Sequence, residues 1–197
     1  MKIEFDRKTG ASVLVVALLF FGLGYAINND GDHDGMMGNM HGNSASNSSY
    51  SSNDIMFAQM MIPHHQQAIV MSDIALKNST NPDVLALAKQ IKAAQAPEIE
   101  QMKAWLKAAG TSLMGAHGMA MEGMLTDSEI SELKSAKGAS FDKLFLQGMI
   151  GHHEGALTMI SMIINSDNAE ARTLAKNIKT SQSAEIELMK KYLALLD

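Results

Sequence analysis

The sequence predicts an all-α protein whose folded part is a four-helix bundle. Good helix formers recur throughout the chain, whereas aromatic residues make up only 5% of the 197 residues and proline occurs three times. A segment of about 50 residues also occurs twice in the sequence. Repeats of this length are usually single supersecondary units that bury their faces against one another. Each copy reads as an antiparallel pair of helices, so two copies predict a bundle of four helices.

The two copies agree best around a pair of adjacent histidines. "QMMIPHHQQAIVM" (59–71) lies on "QGMIGHHEGALTM" (147–159) after a shift of 88 positions. "AKQIKAAQAPEIEQMKAWL" (88–106) lies on "AKNIKTSQSAEIELMKKYL" (175–193) after a shift of 87. The predicted domain therefore spans 54–197, with repeats at 54–106 and 140–197 and a Met-rich loop and short helix at 107–139 between them.

Side-chain caps predict where the helices begin. Asn81 before Pro82 is a predicted N-cap, Ser140 is predicted to cap the third long helix, and Asp167 or Asn168 the fourth. Thr126 with Glu129 predicts a capping box for the short helix. Pro97 is the one misfit, because a proline inside a helix removes a backbone hydrogen bond.

Three segments are expected before this domain. Arg7 and Lys8 precede an uncharged apolar run, "ASVLVVALLFFGLGYAI" (11–27), so residues 1–10 are predicted to stay in the cytoplasm. The run predicts a transmembrane helix that anchors the protein in the membrane, with a cleaved signal segment as the competing interpretation. Residues 28–53, rich in Gly, Asn, Ser and Asp, predict a disordered linker. The domain is therefore expected in the periplasm or outside the cell, anchored to the membrane or, if the segment is cleaved, secreted.

The composition excludes some partners and ligands. The formal net charge is −5 and no basic stripe is present, so nucleic acid is not expected as a partner. Cysteine is absent, which excludes disulfides and thiolate metal sites and leaves imidazole and thioether as the ligands for a soft metal. Seventeen methionines are then the unusual feature of the composition, even though methionine is also an adaptable core residue.

A helical projection places both histidine doublets on apolar stripes. With about 100° per residue, the first histidine of each doublet falls in the middle of its stripe and is expected to face the partner helix. The second falls at the rim of the stripe beside a methionine. We predict that the rim histidines and their methionine neighbours bind exchangeable copper and that the buried histidines are structural. The predicted metal ligands of the two patches are Met61, His64, His65, Met71, Met149, His152, His153 and Met159.

The partner helix of each copy carries a carboxylate on its apolar face. A buried carboxylate has to be paired, hydrogen-bonded or bound to a metal. A His–Glu hydrogen bond that only fixes helix register is the structural alternative to a metal site. The residues predicted to stand behind the metal ligands are Gln95, Glu98, Met102, Gln182, Glu185 and Met189.

Two polar, Gly-rich segments also concentrate methionine and histidine. The linker contains Met36, Met37, Met40 and His41, and the central loop adds the predicted ligands His117, Met119, Met121 and Met124. Thioether selects Cu(I), so the mixture favours copper, as Cu(I) or Cu(II), over zinc or iron. The Glu-x-x-His pairing of di-iron bundles is absent from the sequence.

At these motifs the chain resembles a known bacterial family, domain of unknown function number 305. The resemblance covers about Asp54 to Leu193 and rests on "FAQMMIPHHQQAIVMS" and "FDKLFLQGMIGHHEGALTMI", each followed by a Gln-x-x-Glu-Ile-x-x-Met helix. It implies a ferritin-like four-helix bundle that is usually exported. Some members are periplasmic copper binders involved in copper resistance.

The leading hypothesis is an extracytoplasmic protein that sequesters Cu(I), and Ag(I) with it, or passes the ion to a partner protein. A metal-dependent oxidoreductase with iron or copper held by core His and Glu is the second hypothesis. A structural or interaction bundle without metal is the third.

Overall fold

All regular secondary structure of the described chain is helical. The structure is a computed structural model, and it describes residues 49–113 and 121–196. Within those ranges there are four long helices, one short helix and one turn of 3₁₀ helix, and no strand. The elements are α1 (Ser52–Asn78), α2 (Pro82–Ala108), α3 (Asp127–Ser135), α4 (Gly138–Met159), the 3₁₀ turn Ile160–Met162, and α5 (Ala169–Leu193).

Most of the predicted helix starts are confirmed. Asn81 caps α2 by accepting a hydrogen bond from the backbone N–H of Asp83, and Asn168 caps α5. Thr126 and Glu129 form the predicted capping box of α3. The prediction for Ser140 is wrong: α4 begins at Gly138 after Lys137, which makes no side-chain cap.

Two prolines, and not only the predicted one, lie inside long helices. Pro97 is inside α2 and Pro63 is inside α1, directly before the first histidine doublet. A proline has no N–H, so each removes one hydrogen bond from its helix. At both positions the helix continues across the proline, because packing along its buried face maintains it.

The four long helices form two hairpins. Helix α1 packs along α2 and α4 packs along α5, while α1 also packs against α4 and so joins the hairpins. The core has two apolar clusters, and each long helix contributes one half of its buried face to each. The first cluster contains Phe57, Trp105 and Ile163, and the second contains Phe141 and Phe145.

The predictions for the N-terminal part lie outside the described residues. They concern the cytoplasmic residues 1–10, the membrane or signal segment 11–27 and nearly all of the linker 28–53. Among the helices that the structure describes, none combines the length and apolar character needed to cross a membrane.

Candidate metal centre

A polar layer crosses the core between the two apolar clusters. On α1, for example, Ile62 belongs to the first cluster and Ala68 to the second, and both histidines of the doublet stand between them. The other three long helices change cluster in the same way. We call the polar layer the set of eight residues at these changeovers: His64, His65, Gln95, Glu98, His152, His153, Gln182 and Glu185.

The second histidine of each doublet is bound to the glutamate of its own hairpin. His65 donates from Nε2 to Oε2 of Glu98 over 2.7 Å, and His153 donates from Nε2 to Oε2 of Glu185 over 2.8 Å. Both histidines have no exposed surface. The duplicated sequence therefore builds two equivalent His–Glu pairs, one in each hairpin.

The first histidines of the two doublets meet each other where α1 and α4 cross. The ring centroids of His64 and His152 are 3.7 Å apart. His152 donates from Nε2 to the backbone carbonyl of His64 over 3.0 Å, and His64 donates from Nε2 to the carbonyl of Glu122 over 3.3 Å. Both rings are completely buried.

This arrangement corrects the predicted roles of the histidines. The first of each doublet was expected to face the Glu-bearing helix and the second to lie at a partly exposed rim. Instead, His65 and His153 bind the glutamates, His64 and His152 join the hairpins, and all four are buried. The two residues of a doublet point about 100° apart, as expected for a helix, but both directions lead into the core because α1 and α4 each have neighbours on two sides.

The hydrogen bonds leave the same ring nitrogen bare in all four histidines. A carbonyl or carboxylate oxygen only accepts, so Nε2 carries the hydrogen in each ring. Nδ1 of His64, His65, His152 and His153 is buried, and no described residue gives it a hydrogen-bond partner. In a neutral ring that atom is a lone pair. Each histidine is thus oriented by its Nε2 bond and presents Nδ1 as the atom that can bind a metal.

Burial keeps two of the rings neutral. It lowers the pKa of His64 to about 3, and the charge of the neighbouring His65 adds to the effect. Burial, together with the charge of His64, lowers the pKa of His152 well below its ordinary value. The Nδ1 lone pairs of these two rings therefore stay available for a metal in mildly acidic solution.

Buried methionines border the polar layer on both sides. Met61 stands one helical turn before His65, and Met102 stands one turn after Glu98. Because α1 and α2 are antiparallel, both thioethers lie on the same side of the His–Glu pair, in the first cluster. Met149 and Met189 repeat this arrangement around His153 and Glu185 in the second cluster. Met102 and Met189, which were predicted to stand behind the ligands, therefore lie on the same side of their His–Glu pairs as Met61 and Met149.

The other two predicted methionine ligands are exchanged between the repeats. Met71 was grouped with Met61, yet it belongs to the second cluster, and its methyl group faces Gly148 of α4. Met159 was grouped with Met149, yet it belongs to the first cluster. Each cluster therefore contains three buried methionines of the long helices, two from one repeat and one from the other. Within the described ranges, no group of three or more His, Asp and Glu side chains is placed to hold a metal ion.

The end of the central loop closes over the first histidines. Gln67 of α1 exchanges two hydrogen bonds with the backbone of Leu125, at 2.8 and 2.7 Å. Gly123, with φ +82°, and Gly155 of α4 allow the backbones to touch, and this contact presents the Glu122 carbonyl to His64. The predicted ligands Met121, which is buried, and Met124, which is half-buried, lie in this segment, whereas His117 and Met119 lie outside the described residues.

Comparison with known proteins identifies the family. The family described as Domain of unknown function (DUF305) matches residues 54–193. The chain belongs to this family. The resemblance inferred from the histidine doublets is thereby confirmed over the whole extent predicted for it. No curated protein matches the chain.

Solved structures of DUF305 proteins have the same fold. A candidate secreted DUF305 protein from Streptomyces coelicolor is 32% identical, with a TM-score of 0.69 over 74% of this chain and 94% of the other. A DUF305 fragment from Deinococcus radiodurans is 28% identical, with a TM-score of 0.68 over 73% and 97%. CopM in its Cu(I)-bound form is 35% identical, with a TM-score of 0.60 over 71% and 94%. CopM structures with Cu(II), with Ag and without metal are similar to the chain as well.

Three features of the site were missed in the sequence. The first is the backbone carbonyl of Glu122, which cannot be recognised from the sequence because a backbone acceptor does not depend on residue type. The hydrogen bond that Gln90 of α2 donates to Glu185 of α5 over 3.1 Å joins the two hairpins, and sequence spacing within one hairpin does not indicate it. Pro63 could have been recognised, since it lies inside α1 as Pro97 lies inside α2.

Proposed function

We propose that this protein binds Cu(I), and Ag(I) through the same ligands, and that it sequesters the ion or passes it to a partner protein outside the cytoplasm. Copper is cargo in this proposal and undergoes no reaction. The observation that carries it is the pair of His–Glu units whose histidines are held by Nε2 and leave a buried Nδ1 without a hydrogen-bond partner among the described residues, with a buried methionine one helical turn before each histidine. The ligands at each unit would be His65 with Met61 and Met102, and His153 with Met149 and Met189.

The chemistry of these donors favours a soft, monovalent metal. Thioether is a ligand for Cu(I), and imidazole binds both Cu(I) and Cu(II). The carboxylates of Glu98 and Glu185 are already occupied by the histidines, which is the arrangement that orients a metal-binding imidazole and raises its basicity. The names of the CopM structures, which mention Cu(I), Cu(II) and Ag, support the same choice of metal for a protein 35% identical to this one.

We further infer where the metal-binding domain acts. Residues 54–197 would form that domain, as a ferritin-like bundle, behind the linker 28–53 and the apolar segment 11–27. Export is supported by that segment and by the relative from Streptomyces coelicolor that is named as a candidate secreted protein. Retention of the apolar segment as a membrane anchor stays a prediction.

Cu(I) binding by the methionines can be tested with matched variants. The double variant Met61→Leu, Met149→Leu removes one thioether from each unit, and because leucine has nearly the same volume, the free energy of unfolding should change by less than about 1.5 kcal/mol. Loss of a ligand should weaken binding at least as much as loss of a residue behind it, about tenfold or more. The affinity is measured anaerobically by competition with a chromophoric Cu(I) chelator. Met56→Leu is the control, since Met56 lies on the same helix and is 51% exposed.

Two outcomes would contradict the proposal. One is a wild-type protein that takes no Cu(I) from the chelator. The other is an affinity that stays at the wild-type value in the double variant and also in His65→Ala, His153→Ala. A tightly held metal that cycles with oxygen would instead favour the metal-dependent oxidoreductase.

A further inference from the structure

The two His–Glu pairs are related by the repeat, yet their carboxylates have different surroundings. The side chain of Glu185 is 4% exposed, whereas that of Glu98 is 17% exposed. Glu185 receives one hydrogen bond on each oxygen, from His153 on Oε2 and from Gln90 on Oε1. Glu98 receives a hydrogen bond from His65 alone among the described residues. One pair is therefore held at both ends of its carboxylate and the other at one end.

The additional hydrogen bond to Glu185 comes from a single repeat position. The 87-residue shift that lays Glu98 on Glu185 also lays Gln90 on Asn177. Asn177 is exposed, and its side chain makes no hydrogen bond to any described residue. Its amide is one methylene shorter than that of Gln90, so the copy of this contact is missing from the first pair.

We propose that Gln90 is a positioning residue that makes the two copper sites unequal. The His153–Glu185 site retains its ion, and the His65–Glu98 site exchanges its ion with solvent or with a partner. This inference rests on the proposed function, since it assigns different roles to the two sites that bind Cu(I).

The physical reason is the freedom of the carboxylate. A carboxylate bound on both oxygens cannot turn about its side chain without breaking a charge-assisted hydrogen bond, so the imidazole that it orients keeps Nδ1 in place. Release of the ion from the His153 site requires that ring to swing or water to enter, and both are opposed when Glu185 is fixed and almost fully buried. Glu98, fixed by one bond and partly exposed, can move with the ring of His65 and admit water.

The contact also crosses between the hairpins. Gln90 belongs to α2 of the first hairpin, and Glu185 belongs to α5 of the second. The retaining site is therefore built by both repeats, whereas the His65–Glu98 pair lies wholly within the first hairpin. Two identical hairpins could not produce this inequality, because it depends on a position at which one repeat carries Gln90 and the other the shorter Asn177.

The experiment measures Cu(I) release from the full chain. The protein is loaded anaerobically with two equivalents of Cu(I), and a large excess of a chromophoric chelator is added in a stopped-flow instrument. Wild-type protein should release copper in a fast and a slow phase of equal amplitude. Gln90→Leu should accelerate the slow phase about tenfold or more and leave the fast phase unchanged. The control Asn177→Leu changes the repeat-equivalent position and should leave both phases unchanged.

The readouts separate positioning from folding. Circular dichroism and urea unfolding of the metal-free variants report whether Gln90→Leu is folded, and a purely structural role would move both phases together. The inference is overturned if wild-type protein binds two ions and releases them in one phase, or if Gln90→Leu shifts both phases equally or neither. A wild-type protein that takes up no Cu(I) would refute the proposed function itself.

Discussion

Replacing Gly155 with alanine should push the end of the central loop away from α4. A Cβ atom on Gly155 would lie 2.0 Å from the carbonyl oxygen of Glu122 and 2.6 Å from its carbon. Ordinary van der Waals contact begins at 3.4 Å, so the oxygen has to retreat by about 1.4 Å. Both atoms belong to backbone, and side-chain rotation cannot relieve the clash.

The size of the effect follows from the bonds that this segment makes. The Glu122 oxygen accepts from His64 at 3.3 Å, which is already long, and the displacement would break that bond. The two bonds between Gln67 and Leu125 lie three residues further along and would be strained or lost as well. At about 1 kcal/mol for each bond, the loss is roughly 2–3 kcal/mol. Alanine in place of glycine stabilises a helix by about 0.5–1 kcal/mol, so the net destabilisation is roughly 1–2.5 kcal/mol.

Gly151→Ala is the matched control on the same helix. A Cβ atom at Gly151 would meet nothing within 4 Å. This variant should therefore be more stable than wild type by about 0.5–1 kcal/mol, the ordinary gain for glycine to alanine in a helix. Urea unfolding of the metal-free proteins, followed by circular dichroism, measures both changes.

The opposite signs of the two changes are the test. If Gly155→Ala is as stable as Gly151→Ala, then the close contact between Gly155 and Glu122 is not maintained in solution. The contact would then not be what holds the Glu122 carbonyl against His64.

Two further predictions concern stability. Burial lowers the pKa of His64 to about 3 from 6.5. Between these pH values the unfolded chain binds a proton at His64 that the folded protein does not bind. The free energy of unfolding is therefore unaffected by this group above pH 6.5 and falls as the pH drops towards 3. At about pH 5, His64 alone should lower the free energy of unfolding by roughly 2 kcal/mol. Urea unfolding of the metal-free protein at about pH 7.5 and about pH 5 should therefore show a smaller loss of stability for His64→Gln than for wild type. Equal losses would contradict the lowered pKa of His64. Asn78 donates from Nδ2 to the carbonyls of Leu133, Lys134 and Ala136 at the end of α3, at 3.3, 2.9 and 3.2 Å. Asn78→Ala should lower the free energy of unfolding by roughly 1–3 kcal/mol and should speed amide hydrogen exchange first in α3. Thr80→Ala, at an exposed position nearby, should do neither. Unchanged hydrogen exchange in α3 would show that the Asn78 contact does not hold this helix.

Local features of the structure could be predicted from the sequence because they depend on neighbouring residues. The caps at Asn81, Thr126 and Asn168 need only a side-chain oxygen within three residues of a free backbone N–H. The repeat predicted two helical hairpins, and the helical period placed the first histidine of each doublet and the glutamates of the partner helices on buried faces. Ser140 failed as a cap because α4 starts two residues earlier, at a glycine with φ +59°.

The rotation of each helix against its neighbours could not be predicted in the same way. A projection of one helix gives the angle between His64 and His65, but it does not say which neighbour each ring meets. That is decided by packing α1 against both α2 and α4, which turns His65 to Glu98 and His64 to His152. The predicted rim position was wrong for this reason.

The sequence by itself determined that this chain has two related hairpins, each with a buried histidine doublet, a glutamate and methionines at helical spacing, because period and propensity act along the chain. Only the tertiary structure decided which atoms meet. It left Nδ1 of all four doublet histidines without a hydrogen-bond partner among the described residues. It also placed Met71 in the second apolar cluster and Met159 in the first. It also gave Glu185 a second hydrogen-bond donor, Gln90, whereas Glu98 has one donor among the described residues. The physical reason is that these contacts join residues far apart in the chain, and only the packing of one helix on another fixes their distances and directions.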